Sequence, residues 1–235
     1  MMIRAAAVKK LIALVDRYKN EVESPVKDNW KTKDDGQLWA AVLGQIAVVG
    51  SAVSGISLSR QLEGQEQSWY IGLTSMSQKA RQKKIHECLR KSGVRYVSAD
   101  LRRCRKTPAA ALNFELLQAY GGPRKYFQAV SEIPVEAWRI AVVGDELSYI
   151  KNKGARDLLI GLGLVQNAIA FDLRVMGVLG FVGIDLPPDI AENKVKYKSL
   201  ESEIIKKVCD PCGISGGYLD RIMFDKYSEI IASQN

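Results

Sequence analysis

The sequence is poor in several residue types from which catalytic sites are usually built. It has one histidine, His86, in 235 residues, so a Ser-His-Asp triad or a histidine-rich metal site has little to draw on. Its four cysteines, Cys88, Cys104, Cys209 and Cys212, do not suggest a disulfide framework and are expected as reduced thiols. No apolar run approaches the roughly 18–20 residues that a membrane span needs. The N-terminal stretch MMIRAAAVKKLIALVDRYKN is broken by Lys9, Lys10, Asp16 and Arg17 and has no small-residue cleavage site. It reads as an amphipathic helix rather than a secretory leader, and a cytoplasmic protein is expected. Internal repeats and low-complexity segments are absent as well.

What is present is ordinary globular usage, with 47% hydrophobic and 26% charged residues. The length suits one large domain or two small ones that share a cleft. A net charge of +8 favours an anionic partner such as nucleic acid.

Strand signals are few: IAVVG at 46–50 and RIAVVG at 139–144, each equally compatible with helix. The pattern is mostly α. Residues 1–22 place Ala7, Leu11, Leu14, Val15 and Tyr18 on one helical face. Residues 23–36 form a polar loop, QLWAAVLGQIAVVGSAVSG reads as a buried helix, and 57–68 are polar again. The basic run from Ser77, QKARQKKIHECLRKSG, predicts a helix with Ala80, Ile85, Cys88 and Leu89 inward. DLRRCRKTP reads as a basic turn stopped by Pro108, and a helix after it is closed by Gly121 and Gly122. Residues 123–133 and 134–149 suggest two more helices. SLESEIIKKVCDPCG suggests a helix capped by Ser199 and stopped by Pro211, and GGYLDRIMFDKYSEII a last one.

Partial motifs for other chemistries fall short. Gly50 and Gly55 do not give the Gly-x-Gly-x-x-Gly of a dinucleotide fold. Cys209-Asp-Pro-Cys212 has half-site spacing but no second pair, so no metal is expected there. His86-Glu87-Cys88 lacks the residue that zinc deaminases place between His and Glu.

The informative stretch is IKNKGARDLLIGLGLVQNAIAFDLRVMGVLGFVGI, residues 150–184. It predicts a lysine-rich turn, a helix, a connection, and a second helix opened by Asp172, whose carboxylate would accept backbone N–H bonds at the positive helix end. Lys153-x-Ala155, the leucine-rich helix, and Asp172-Leu-Arg-Val together resemble the helix-hairpin-helix DNA glycosylase superfamily, most closely its 8-oxoguanine glycosylase/AP lyases. That resemblance implies an all-α fold of two helical subdomains flanking a cleft. Residues 1–49 and 166–235 would form one subdomain, and 50–165 the other, with the hairpin in it. It also implies a DNA-repair activity that excises an oxidised purine such as 8-oxoguanine, with Lys153 as the nucleophile and Asp172 as the essential carboxylate.

The reaction explains why such a pair is needed. An exposed lysine is almost wholly protonated at neutral pH, so a site must depress its pKa by burial or by neighbouring cations such as Lys151 and Arg156. The aspartate would stabilise positive charge developing on the sugar. The family's hairpin carries Gly-x-Gly before the lysine, whereas this chain has Tyr149-Ile150-Lys151-Asn152, which leaves Lys151 as the alternative nucleophile. The four-cysteine iron–sulfur loop of endonuclease III is absent.

Further placements follow from the same resemblance. Gln45 on an early apolar helix, and Asp220 with Phe224 four residues on, take positions of base-reading residues; Trp69 is a stacking candidate. Lys83, Lys84, Lys151 and Arg156 would contact the DNA backbone. Each has a plainer alternative as a packing residue or solvated charge. Implied throughout are a monomer on duplex DNA containing a damaged base, no cofactor and no membrane, nucleoid-associated if prokaryotic. The competing functions are a non-catalytic helical DNA-binding protein, and a monofunctional glycosylase in which Asp172 activates water.

Overall fold

A computed structural model describes residues 3–233 of the chain. It is all-α: among the described residues there is no strand; the AVVG segment at 47–50 runs from the end of a helix at Val48 into a turn, and the one at 141–144 lies inside a helix. No helix among them is long and apolar enough to cross a membrane. The chain divides into two compact units, one comprising the chain up to Asp28 and from Asn152 onward, the other Asn29–Lys151.

The first unit opens with α1 (Ala5–Tyr18), which buries Ala7, Leu11, Val15 and Tyr18 at helical spacing as its sequence predicts. The chain then enters the internal unit, built from α2 (Asp35–Val48), α3 (Ala52–Leu62), α4 (Glu66–Thr74), α5 (Gln78–Lys91), α6 (Lys106–Ala119), α7 (Pro123–Glu132) and α8 (Glu136–Glu146). Helix α2 is its centre. It packs against α3, α4, α6 and α7, and Leu38, Trp39, Val42, Leu43 and Ile46 are wholly buried. Asp34 and Gln37 close a reciprocal capping box at its start.

Several local expectations need correction. The polar residues 57–68 hold the end of α3, a short turn and the beginning of α4. Ala80 of α5 is exposed, and Arg81 and His86 are buried in its place beside Ile85, Cys88 and Leu89. Arg81 is accommodated because its guanidinium donates to the Leu73 and Met76 carbonyls and pairs with Glu115. Pro108 does not stop a turn; it lies in the first turn of α6, where a missing N–H costs nothing. Gly121 (φ 88°) and Gly122 (φ 118°) then close α6 in a conformation that L side chains resist.

The hairpin after α8 is held by one buried side chain. Asn113 of α6 donates from Nδ2 to the Ser148 carbonyl (2.9 Å) and accepts from the Ser148 N–H (2.6 Å). The next residue, Tyr149, has φ 69°, a strain of about 1–3 kcal/mol that the clamp must offset.

The chain returns to the first unit at α9 (Asn152–Gly161), followed by α10 (Leu173–Phe181), α11 (Lys194–Ile204), a π-type turn at Ile205–Cys209, α12 (Asp210–Cys212), α13 (Gly216–Asp225) and α14 (Tyr227–Ala232). Its core joins Leu11, Val15, Val178, Leu179, Leu200, Ile204, Leu219 and Ile222. Helix α11 begins at Lys194 with Asn193 as its cap, not at Ser199, and the run ends at left-handed Gly213 rather than at Pro211. All four cysteines are free, and burial pushes the Cys209 thiol up to about 12.

The unit boundaries fall at 28/29 and 151/152 rather than at 49/50 and 165/166. The reason is packing: α2 belongs wholly with its partners in the internal unit, and α9 is tied to α11 through Arg156 and Glu201.

Candidate active site

Asp172 is the N-cap of α10, as its sequence context predicts. Its Oδ1 accepts from the backbone N–H groups of Arg174 (2.9 Å) and Val175 (2.8 Å). Both bonds fall on one oxygen, and the residue is only half-buried, so the second oxygen is left for other work.

The approach to that cap is an irregular stretch in which Ala168, Ile169, Ala170 and Phe171 are buried. Backbone buried outside a helix must find partners elsewhere. Here distant side chains supply them. The Ile169 N–H donates to Glu201 Oε1 (2.9 Å), the Ala170 N–H to Asp220 Oδ1 (2.7 Å), and the Phe171 N–H to the Tyr197 hydroxyl (2.7 Å). The same hydroxyl donates to the Ile169 carbonyl (2.8 Å), and burial pushes the Tyr197 phenol pKa up, which keeps it a neutral donor. Gly216 and Gly217 allow this approach from α13: a Cβ on either would meet the 166–168 backbone at 3.1–3.2 Å.

Glu201 also anchors α9. Arg156 donates to its Oε1 (2.7 Å) and Oε2 (2.9 Å) and stacks 4.1 Å from the centre of the Tyr197 ring. Arg156 is 7% exposed. The expectation that it contacts the DNA backbone is therefore corrected: its guanidinium is consumed inside the fold, where a paired carboxylate offsets desolvation.

Lys153 lies one turn earlier on α9, half-buried, and its Nζ donates to Asp157 Oδ2 at 2.8 Å. The fully buried Arg156–Glu201 pair beside it is separate, so the cationic neighbour expected at Arg156 is a neutralised one. Asp220 completes the group. Burial raises its pKa well above the ordinary carboxylate value, the charges of Asp157 and Asp172 push the same way, and the Ala170 N–H bond and Lys153 oppose them. Lys153, Asp157, Asp172 and Asp220 thus share one electrostatic environment within a single unit. Phe224, on α13 with Asp220, carries the Arg174 guanidinium 4.5 Å from its ring centre.

The remaining predicted residues belong to the internal unit. Gln45 is half-buried on α2 with its side-chain oxygen buried and without a hydrogen-bond partner among the described residues. Such an orphan acceptor is costly in a finished core. Trp69 is half-buried on α4, and Lys83 and Lys84 are exposed on α5, as is Lys151 at the end of the hairpin. No cluster of metal-ligating side chains occurs among the described residues.

Sequence reasoning missed Asp157, Glu201 and Tyr197. Asp157 had a local signal, the i, i+4 spacing from Lys153 on one helix. Glu201 and Tyr197 had none, since their partners lie 45 and 26 residues away. The buried Lys106 of the internal unit was missed too; its Nζ donates to the Ala47 (3.1 Å) and Val49 (2.7 Å) carbonyls at the end of α2, and burial pushes its pKa down to about 8.

No protein-family profile matches this chain, and no curated protein matches its sequence. Solved structures do. The chain is similar to the 8-oxoguanine DNA glycosylase of Methanocaldococcus jannaschii, with a TM-score of 0.66 at 14% identity over 97% of this chain and 94% of that one. The M. jannaschii 8-oxoguanine glycosylase/lyase in complex with a 15mer DNA containing 8-oxoguanine matches at 0.65 and 14% identity, over 93% of each chain. The 8-oxoguanine DNA glycosylase of Thermotoga maritima matches at 0.66 and 18% identity, over 92% of this chain and 93% of that one. At these identities the likeness is one of fold, and it extends over nearly the whole chain.

Proposed function

We propose that the protein is a DNA repair glycosylase with AP-lyase activity, acting on an oxidised purine such as 8-oxoguanine in duplex DNA. One observation carries the reading: Lys153, paired with Asp157, shares its electrostatic environment with the helix-capping Asp172 and the buried Asp220. The glycosylase fold of its structural neighbours supports it.

In this reading the Lys153 amine attacks the anomeric carbon of the damaged nucleotide. A nitrogen–carbon bond forms, the glycosidic bond breaks, and the base departs with the electron pair and takes up a proton. Asp157 is the acceptor already in hydrogen-bond contact with Nζ, and it accepts the proton that the ammonium must lose. The free oxygen of Asp172 faces the developing sugar cation, an electrostatic role that costs no reorganisation because the other oxygen is fixed by two backbone N–H groups. Opening of the sugar gives a protonated imine, loss of a C2′ proton eliminates the 3′ phosphate, and the strand is cut. Lys151 takes the nucleophile's role if the register of the hairpin differs.

The base-reading roles of Gln45, Trp69, Asp220 and Phe224 belong to the same proposal. Gln45 offers an unsatisfied acceptor to a base N–H, and Asp220, whose pKa burial raises, offers a donor in its protonated form. Lys83, Lys84 and Lys151 are the remaining backbone contacts. A monofunctional enzyme is the second reading, favoured by the Lys153–Asp157 ion pair, which engages the amine with a partner inside the protein. Release of 8-oxoguanine from a labelled duplex tests the proposal: Asp172→Asn should lower the release rate by at least about 100-fold, and an unchanged rate would refute the assigned role.

A further inference from the structure

The last turn of an α-helix leaves carbonyls with no partner in the helix itself. In α2 the Val48 carbonyl accepts from the Ser51 N–H at 3.0 Å. Its neighbours Ala47 and Val49 are served by a side chain from elsewhere in the internal unit. Lys106, the first residue of α6, donates from Nζ to the Ala47 carbonyl at 3.1 Å and to the Val49 carbonyl at 2.7 Å. It is wholly buried, and its ammonium lies 5.8 Å from the Tyr96 ring centre. No carboxylate pairs with it among the described residues, in contrast to Arg156. A buried ammonium carries a large desolvation cost, which the negative end of α2 offsets in part. Packing alone does not ask for a charge at this position, since methionine fills a similar volume.

What the charge supplies follows from the helix it holds. Of the residues of α2 only Gln37 is exposed. A helix that is buried nearly all round has no polar face to set its rotation, so directional bonds at its ends must do so. At its start the Gly36 N–H donates to Gln67 Oε1 at 2.7 Å, and a Cβ on Gly36 would collide with the Gln67 backbone. At its end Lys106 takes two carbonyls, and Arg95 donates to the Gly50 carbonyl at 3.1 Å. Each hold lies two residues from a candidate base-reading residue: Gln67 precedes Trp69, and Ala47 follows Gln45. The Gln45 side-chain oxygen is the buried acceptor left without a partner among the described residues.

We propose that Lys106 is a positioning residue for base selection: by binding the Ala47 and Val49 carbonyls it fixes the last turn of α2 and so the direction of the Gln45 amide. The inference rests on the base-reading role proposed for Gln45. Lys106 itself touches no substrate. Its two hydrogen bonds give the helix end a direction that apolar contacts do not, and a buried acceptor that reads a base must be held in place before the base arrives.

The test uses two duplexes, one carrying 8-oxoguanine and one an abasic site at the same place, so that only the first needs a base to be read. Lys106→Met keeps the volume and removes the charge and the donors. It should lower kcat/KM for 8-oxoguanine release about 10- to 100-fold and leave the affinity for the abasic duplex unchanged. Gln45→Ala should lower release by a similar factor. The double variant should lose no more than Gln45→Ala alone, because Lys106 acts through Gln45. Release at the wild-type rate by Lys106→Met, or losses that multiply in the double variant, would overturn the proposal. An equal loss of abasic-duplex affinity would overturn it too, since Lys106 would then support the fold as a whole. If circular dichroism shows that Lys106→Met does not fold, Lys106→Gln, which donates from a neutral amide, is judged by the same criteria. Release at the wild-type rate by Gln45→Ala would remove the base-reading role and that of Lys106 with it, while the glycosylase reading stands. A wild-type protein that releases no 8-oxoguanine would refute the glycosylase reading and both roles together, so the two failures are told apart.

Discussion

Two short connections lead into the helices to which the proposed chemistry is assigned, and they are held in different ways. The stretch before Asp172 is buried, and its N–H groups are taken one after another by Glu201, Asp220 and Tyr197. The hairpin before Lys153 relies on Asn113 and contains a tyrosine in a left-handed turn. The first is rigid because several long-range partners agree on it. The second carries its strain at Tyr149, next to the Ser148 that Asn113 clamps. The role proposed for Asp172 calls for the first kind of support.

That contrast is open to direct attack. The largest effect is expected at Glu201: Glu201→Gln leaves the Arg156 guanidinium buried without its carboxylate and should cost about 3–5 kcal/mol in urea unfolding. A loss under about 1 kcal/mol would mean that the approach to Asp172 is not anchored there. Asn113→Ala should cost less, about 1–3 kcal/mol, since it unpairs both backbone groups of Ser148. Amide exchange should quicken around 147–151 and stay slow at 168–172; quickening of both would erase the distinction between the two supports.

A pH series sharpens the comparison further. The folded state holds the Asp220 proton to higher pH than the unfolded chain does, because burial raises its pKa. The stabilisation is therefore complete below the ordinary carboxylate pKa and is lost as pH rises through the raised value. Asp220→Asn keeps the acceptor for the Ala170 N–H, so its melting temperature should gain on the wild type as pH increases from 4, and parallel curves would contradict the assignment. The smallest change is expected at Tyr149→Gly, within about 1 kcal/mol of wild type, because relief of the left-handed turn is offset by the freedom glycine gains on unfolding.

How much of this was legible in the sequence follows from the range of each interaction. The Asp172 cap is a local device, bonded to the residues two and three positions on, and so its sequence context reveals it. The helices of the core are periodic and equally readable, and the fold class follows from them. Arg156 shows the opposite. Beside a lysine read as the nucleophile it reads as a contact for phosphate, yet its partner lies 45 residues away, a pairing that no window along the chain contains. The unit boundaries were misread for the same reason, since the place of α2 depends on the helices it packs against rather than on its own composition. Tyr149, noticed only as a missing glycine, turns out to line a cavity with Tyr96 and two arginines.

The central claim is that the Lys153 amine forms the covalent bond to DNA. Borohydride reduction of the protein on a duplex containing 8-oxoguanine, followed by mass spectrometry of the trapped peptide, tests it most directly. The account predicts an adduct on Lys153 that is lost in Lys153→Gln and retained in Lys151→Gln. An adduct mapped to Lys151, or base release with no trapped species at all, would contradict it.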